Sequence, residues 1–545
     1  MPEQKPWSVW MPVLMMLALA AGIWIGMRFF AAPDASGRVG SLPPTGQGKQ
    51  LSEILYYIDA FYVDSVDTDS LMQHTIETLL SQLDPHTAYI PAKDLEVVSA
   101  DLQGNFEGIG VEFSLVRDTI FVVAPIINGP SESVGIRAGD KIITVEDKTV
   151  AGVGITNREV IDLLRGRKGT EVRVGVQRGR NSELLPFTIT RDQIPTYTVT
   201  TAFKLDQQTG YIKLSRFAAN TYEEFLAALQ SLKAEGITNL ILDMRGNPGG
   251  YMSRAIEIAD EFLAGNALIV YTDGKLDQFD SQEHAKKEGL FEEGALIVLI
   301  DEGSASAAEI VAGALQDNDR ALIVGRRSFG KGLVQKPIGL SDRSQLRLTI
   351  SRYYTPSGRS IQKPYDTETD YESEILERYF NGEYFALDST KLDLEHRYQT
   401  RGGRTVFGGG GIVPDYFVPR DTSYFSPLLD ALVRENLFRE FAASYVRDYG
   451  EAWADKTAVA FVEQFSIDPK IEADFWALAQ SRNIPRNPTH EAHSGAYIKN
   501  LLKAFIARLI WQEEGFYRVY LQTDEAVKAA LQERPAAEQL LQRYK

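Results

Sequence analysis

The sequence predicts an α/β protein in which a layered α/β core carries an inserted β-rich domain, with an apolar helix at the N-terminus and an α-helical region at the C-terminus. Three observations carry this prediction. Strand and helix periodicities alternate from Tyr211 to Val418, short β-branched runs crowd residues 104–192, and helical periodicity fills the chain beyond Tyr424. At 545 residues, 44% of them hydrophobic, the chain is long enough to build several cores, because single cores stop growing at roughly 250–300 residues.

From Pro6 to Met27, 22 consecutive residues lack a charge. As a helix they would extend about 33 Å, the thickness of a bilayer's hydrocarbon core. Trp7, Trp10 and Trp24 sit near the ends, where interfacial aromatics gather. The run is long for the apolar part of a cleaved signal peptide, so residues 1–34 are expected to be a retained single-pass membrane anchor. Residues 35–50 are rich in Gly, Pro and Ser and suit a flexible linker.

Residues 51–100 form the N-terminal helical part of the core. Leu51, Ile54, Leu55 and Ile58, then Leu71, Ile76, Leu79 and Leu80, recur at helical spacing around the polar turn Asp64–Asp69, which predicts two short helices. Within 104–192, strands are expected at 109–116, 119–124, 141–145, 171–177 and 185–190, with one helix near 157–165. The core proper, 193–420, opens with Thr221 and Glu224 as a capping box for a helix over 222–234. Strand 237–243, helix 251–263, strands 267–271 and 295–300, helix 306–316 and strand 321–325 follow. After Gly408–Gly411, Ile412–Val418 reads as a last strand. Residues 424–545 are helical and rich in aromatics, with no motif that points to chemistry.

The net charge of −17, with no local Lys/Arg cluster, argues against nucleic acid as a partner. The chain has no cysteine, which excludes disulfides, thiol nucleophiles and thiolate metal sites, and its six histidines lack ligand spacing. Neither a metal nor a cofactor is expected.

Three loops of the α/β segment hold residues that propensity does not explain. Asp243-Met244-Arg245-Gly246-Asn247-Pro248-Gly249-Gly250 lies where a buried strand gives way to a helix, a favoured place for ligand sites. Gly249 and Gly250 let backbone N–H groups approach an anionic atom closely, as an oxyanion hole requires, although the same residues make an ordinary tight turn. In Asp301-Glu302-Gly303-Ser304-Ala305-Ser306-Ala307-Ala308-Glu309, Ser306 with Glu309 fits a capping box, yet the small neighbours leave open space around the hydroxyl at a helix N-terminus. In Ser328-Phe329-Gly330-Lys331-Gly332-Leu333-Val334-Gln335, Lys331 reads either as a solvated turn residue or as a base beside Ser306. Lowering a lysine from ~10.4 to about 7 costs on the order of 4–5 kcal/mol, which burial has to supply.

Taken in order, these three loops resemble the carboxyl-terminal processing peptidases, also called tail-specific proteases. Leu83-Asp84-Pro85-His86-Thr87-Ala88-Tyr89 and Tyr353-Tyr354-Thr355-Pro356-Ser357-Gly358-Arg359 extend the likeness, which covers about 51–420. The resemblance implies a crotonase-like α/β peptidase core and a serine endopeptidase that cleaves proteins near their C-termini. It implies Ser306 as nucleophile, Lys331 as base and Gln335 as the residue that holds the lysine. It further implies an oxyanion hole from the N–H of Ala307 and of Gly249 or Gly250. An insertion of ~40 residues around 365–407 and the tail after 424 depart from the family pattern.

Residues 104–192 resemble a PDZ domain. Gly108-Ile109-Gly110-Val111 matches its carboxylate-binding loop, and Gly135-Ile136-Arg137-Ala138-Gly139-Asp140-Lys141-Ile142 matches its turn and strand. The partners this implies are proteins or peptides with free apolar C-termini, together with the membrane and a second copy of the chain as a homodimer through 51–83 or 424–545. The location implied is an inner membrane with the catalytic body in the periplasm. Two other readings stay open on the residues: a PDZ scaffold on an inactive core, and a crotonase-type acyl-CoA enzyme.

Overall fold

The computed structural model describes residues 46–179, 183–365, 371, 373–386 and 396–544. The expected anchor, Pro6–Met27, lies outside them. Among the described residues no helix is long and apolar enough to cross a membrane. The chain divides into two units, one of Met1–Glu96 with Gln335–Thr349, the other of Val97–Val334 with Ile350–Lys545.

In the first unit, helices α1 (Gly46–Phe61) and α2 (Thr68–Ser81) are the two expected between 51 and 83, except that α1 starts at Gly46, inside the stretch 35–50 expected to be a flexible linker. Asp67 starts α2 by accepting the N–H groups of Asp69 and Ser70. Buried Asp84 then shapes the turn into β1 (Ala88–Ile90), its Oδ1 accepting the N–H of His86 at 2.8 Å and of Thr87 at 2.9 Å. Strand β1 pairs antiparallel with residues 345–347. Of the apolar stripe read from the sequence, Leu80 is buried and Leu55, Ile58, Leu71 and Ile76 are half-buried, while Leu51, Ile54 and Leu79 stay exposed, as do Tyr57 and Phe61 beside them.

The second unit begins with the inserted β-rich domain, which follows helix α3 (Ala92–Gln103). Its elements are β2 (Asn105–Gly108), β3 (Val111–Leu115), β4 (Ile120–Pro125), α4 (Pro130–Ser133), β5 (Lys141–Val145), β6 (Lys148–Thr149), α5 (Asn157–Leu164), β7 (Glu171–Gln177), β8 (Leu184–Thr190) and β9 (Asp192–Pro195). The main sheet runs β3-β4-β5-β7-β8, all antiparallel, and β2 pairs separately with β9. Alternation decides which face is buried: Val172, Val174 and Val176 of β7 point into a core with Ile120, Val122 and Ile142. A Thr156–Glu159 capping box starts α5, which closes that core with Val160 and Leu164.

The core domain continues with β10 (Val199–Lys204), β11 (Thr209–Leu214), α6 (Thr221–Ala234), β12 (Asn239–Asp243), α7 (Met252–Asp260), β13 (Leu268–Gly274), β14 (Ser281–His284), β15 (Ala295–Ile300), α8 (Ala307–Asp317) and β16 (Leu322–Gly325). Then come β17 (Leu333–Gly339), β18 (Gln345–Tyr354), α9 (Glu374–Phe380), β19 (Arg397–Gln399), β20 (Thr405–Phe407) and β21 (Tyr416–Phe417). Its sheet has the order β10-β11-β12-β15-β16-β21, parallel from β11 onward. Strands β12 and β15 are buried throughout, as continuous apolar runs in a parallel sheet must be. Helices α6, α7 and α8 cover one face.

The C-terminal region consists of α10 (Pro427–Arg434), α11 (Leu437–Tyr449), α12 (Ala458–Gln464), α13 (Pro469–Ser481), α14 (Pro488–Tyr520), α15 (Glu525–Gln532) and α16 (Arg534–Tyr544). Helix α14 breaks at Trp511–Gln512. The last helices cover the other face of the core sheet, where Ala526, Val527, Ala530 and Ala537 pack on Tyr211, Ile241, Leu299 and Val324. The last two helices thus complete the three-layer core, while α10–α14 pack a hydrophobic core of their own from Leu428 to Val519.

Two expectations need correction. The Thr221–Glu224 capping box does not form, because the Glu224 carboxylate instead accepts the N–H groups of Thr198 and Val199 at the start of β10. Thr221 Oγ1 turns back to accept the N–H of Ala218. The strand read over Ile412–Val418 shrinks to β21, since the N–H of Ile412 goes to Ser328 Oγ and Pro414 has none to give.

Candidate functional site

The site grows from three loops at the C-terminal ends of β12, β15 and β16, where a parallel sheet presents its ligand-binding edge. Hydrogen bonds tie the loops together in sequence. Asn247, fully buried, accepts the N–H of Ala305 on its backbone carbonyl at 2.9 Å, and Ser304 Oγ donates to the Met244 carbonyl at 2.8 Å. The N–H of Phe329 reaches the Ser304 carbonyl at 2.9 Å.

Ser306 stands immediately before α8 with φ 54° and ψ −113°, a backbone conformation that side chains other than glycine's rarely adopt. Glu309 makes this turn. Its Oε2 accepts the N–H of Ser306 at 2.8 Å and that of Lys331 at 2.9 Å. Its Oε1 accepts Ser328 Oγ at 2.5 Å and the N–H of Gly330 at 2.7 Å. Burial pushes this carboxyl up to about 7, against four donors that favour its ionised form. From the opposite side the buried hydroxyl of Tyr353, on β18, lies 3.1 Å from the Ser306 carbonyl oxygen and 2.5 Å from that of Lys331. Burial, then the charge of Glu309, raises the Tyr353 phenol far above its ordinary range, so it keeps its proton and can donate it here.

Gly249 lies against the nucleophile turn. A Cβ there would be 2.7 Å from the Ala305 carbonyl oxygen, 2.8 Å from Ser306 Cβ and 2.9 Å from the Ala307 nitrogen, closer than any side chain tolerates. The N–H of Gly249 donates to Asn247 Oδ1 at 2.9 Å. Those of Gly250 and Ala307 enter no hydrogen bond among the described residues. Behind the loop, burial alone would raise the Asp243 carboxyl, yet the adjacent charges of Arg245 and Lys213 hold it well below its usual range. Arg245 also reaches from this loop to Asp524 at the start of α15, 2.9 Å away.

The structure therefore brings Ser306, Lys331, Ala307, Gly249 and Gly250 into one loop cluster. Gln335 belongs to the first unit, where its amide donates to the carbonyl of His86. In the inserted domain, Gly108 ends β2, Ile109 is buried, Gly110 has φ 70° and Val111 opens β3. Ser131 pins this loop with its N–H and hydroxyl on the Ile109 carbonyl, at 3.0 and 2.6 Å. The N–H groups of Ile109 and Gly110 enter no hydrogen bond among the described residues, and β3 pairs on one side alone, with β4.

Sequence reasoning missed Glu309, Ser328 and Tyr353 as parts of the site. The Ser306–Glu309 spacing was visible, but it reads equally as a helix cap; that Glu309 also holds the Lys331 loop depends on packing between segments about twenty residues apart.

Comparison with known proteins matches residues 208–373 to peptidase family S41, residues 108–189 to the PDZ domain and residues 428–512 to a family of unknown function. A carboxy-terminal-processing protease of Bartonella bacilliformis is 35% identical over 380 residues, covering 68% of this chain and 85% of the relative. The carboxy-terminal processing protease CtpB of Bacillus subtilis is 32% identical over 363 residues, covering 64% of this chain and 74% of the relative. Among solved structures, a photosystem II D1 C-terminal processing protease is similar at 29% identity with a TM-score of 0.34, covering 58% of this chain and 91% of that one.

Proposed function

This chain belongs to the carboxy-terminal processing serine protease family and contains a PDZ domain, and from that premise we propose that it is an endopeptidase whose chemistry is carried by Ser306 and Lys331. One observation carries the reading: both residues hang their backbone N–H groups on the same oxygen of Glu309. In this reading Ser306 Oγ attacks the scissile carbonyl and its proton passes to neutral Lys331 Nζ. Lys331 then protonates the departing amine, and water releases the acyl group by the reverse sequence. The oxyanion is received by the N–H of Ala307 and of Gly250, the glycine whose N–H is not already spent on Asn247. An acyl-CoA reading gives the PDZ domain no purpose.

The Gly108–Val111 loop receives the free C-terminal carboxylate of a protein substrate, preferring an apolar last residue, and the substrate strand adds to β3. The exposed apolar residues of α1 and α2 meet a second copy in a homodimer. Residues 1–34 tether the enzyme to the inner membrane with its body in the periplasm; alkaline extraction is expected to leave the full chain in the membrane pellet and to release a version starting at Leu51.

The dyad is tested by turnover of a peptide with an apolar C-terminus. Ser306→Ala and Lys331→Ala are expected to be inactive while folded, and Lys331→Arg is not expected to rescue, since a guanidinium does not give up its proton. Near-normal cleavage by Lys331→Ala would refute the mechanism.

A further inference from the structure

Within the segment that departs from the family pattern, the described residues 373–386 pack on the loop that carries the proposed base. The match to peptidase family S41 ends at residue 373, one residue before α9 begins. Arg378, on α9, is 4% exposed. Its guanidinium donates from Nη1 to the Ser328 carbonyl at 3.0 Å and from Nη2 to the Arg327 carbonyl at 2.7 Å. These two successive peptide oxygens receive no backbone N–H among the described residues. Its Nε–H goes to Glu383 at 3.0 Å, and Glu383 in turn holds Arg327 through two bonds of 2.7 and 2.8 Å. Glu374, also on α9, accepts Lys363 Nζ at 3.0 Å, and that ammonium lies 4.2 Å from the centre of the Phe329 ring.

We propose that Arg378 is a positioning residue for catalysis: α9 and the turn after it hold the Arg327–Lys331 loop in the shape that lets Glu309 join it to Ser306. The path is short. Arg378 fixes the Ser328 carbonyl, Ser328 Oγ donates to Glu309 Oε1, and Oε2 of the same carboxylate holds the N–H groups of Ser306 and Lys331. Turning the 328 peptide toward another donor swings Oγ off Glu309. A purely structural arginine would need only to satisfy buried groups; here the carbonyls it satisfies lie three and four residues from the base.

The inference rests on the Ser306/Lys331 reading, so the experiment runs Lys331→Ala beside Arg378→Met, Arg378→Lys and Glu383→Gln in the full chain. Arg378→Met keeps the aliphatic length and removes the donors. It is expected to lower kcat 10- to 100-fold, leave KM within twofold and move the rising limb of the pH–rate profile, with Arg378→Lys recovering a large part of kcat. Should Arg378→Met not fold, Glu383→Gln, which loosens both arginines and keeps their donors, is expected to show the same kcat-selective loss. Wild-type kcat in Arg378→Met, or in Glu383→Gln where Arg378→Met does not fold, overturns the proposal. So does a loss shared equally between kcat, KM and thermal midpoint that Arg378→Lys does not relieve. Activity in Lys331→Ala overturns the dyad itself, whereas an inactive Lys331→Ala beside a fully active Arg378→Met sinks the role of α9 alone.

Discussion

Ser306 and Lys331 are fastened to each other at both ends of their backbone: their N–H groups meet on Glu309 Oε2 and their carbonyl oxygens face the hydroxyl of Tyr353. The two loops they occupy follow different strands, so without such cross-bonds the distance between nucleophile and base would vary with each loop. Positioning of this kind is worth orders of magnitude in rate, because reacting groups have to be held near contact distance.

Glu309→Gln tests the first fastening. The amide keeps one acceptor oxygen but sets an NH2 group where N–H donors already point. A buried donor left without an acceptor costs about 1–3 kcal/mol, and two are affected. Turnover is expected to fall at least 100-fold with the circular dichroism spectrum retained; activity within a few-fold of wild type would show that the fastening is dispensable.

Tyr353→Phe tests the second with the smallest possible change. The ring stays packed and only the hydroxyl goes, which takes a donor from the part-buried Lys331 carbonyl, while the Ser306 carbonyl keeps the N–H groups of Glu309 and Ile310. A stability loss of about 1–2 kcal/mol is expected by urea titration, with kcat reduced roughly tenfold and KM unchanged. A loss confined to KM would assign Tyr353 to substrate binding.

These contacts mark the limit of what was legible in the sequence. The strands at 171–177 and 295–300 were readable because alternation and continuous apolar runs state burial directly. Ser306, Lys331 and the paired glycines were readable because their loops follow core strands and carry residues that turns do not require. Glu309 was read as a helix cap, and it does accept the N–H of Ser306, but its hold on the Lys331 loop was not visible, while Thr221 was given a cap that Glu224 does not complete; in both cases a carboxylate also takes a distant N–H that spacing alone does not reveal. The β17–β18 hairpin was not anticipated, although it carries Tyr353. The tail offered no chemical motif, and its place against the second face of the core sheet follows from packing of small residues such as Ala526 and Ala530 on β11, β12, β15 and β16.

The raised Glu309 carboxyl also predicts how stability changes with pH. A group that is protonated up to about 7 in the folded chain, against 4.5 when unfolded, makes the folded state bind more protons between those values. Stability is then highest below about 4.5, declines as pH rises toward 7 and is flat above, by this group alone. The expected amplitude is on the order of a few kcal/mol. Urea titrations from pH 5 to 8 should show a decline in wild type that is weaker in Glu309→Gln; parallel curves would mean that Glu309 does not titrate in this window.

Gly249→Ala is expected to abolish turnover. The added methyl meets the Ala305 carbonyl oxygen at 2.7 Å and Ser306 Cβ at 2.8 Å, and φ of 95° is strained for alanine. Gly246→Ala, in the same loop and also at positive φ but with open space around it, is the control for backbone strain. A Gly246→Ala variant as inactive as Gly249→Ala would remove the argument from close approach.

The PDZ domain supplies the remaining test, which separates recognition from cleavage. In the loop ahead of β3, Ile109 and Gly110 have N–H groups that enter no hydrogen bond among the described residues, while their carbonyls are bound by Ser131 and Ile126. The loop is thus held by its acceptors and its donors are left for an incoming group. A carboxylate takes such donors in charge-assisted bonds, whereas a C-terminal amide offers one neutral oxygen and an NH2 that repels the second donor. For a peptide with an apolar last residue, calorimetry on Ser306→Ala protein is expected to show affinity lower by about 2–3 kcal/mol for the amide than for the acid. Shifting the Ile109–Gly110 peptide by Ser131→Ala, which removes the hydroxyl bond to Ile109, should narrow that gap while leaving the affinity for the amide form little changed. Equal affinity for acid and amide in the parent protein would place recognition of the terminus elsewhere on the domain.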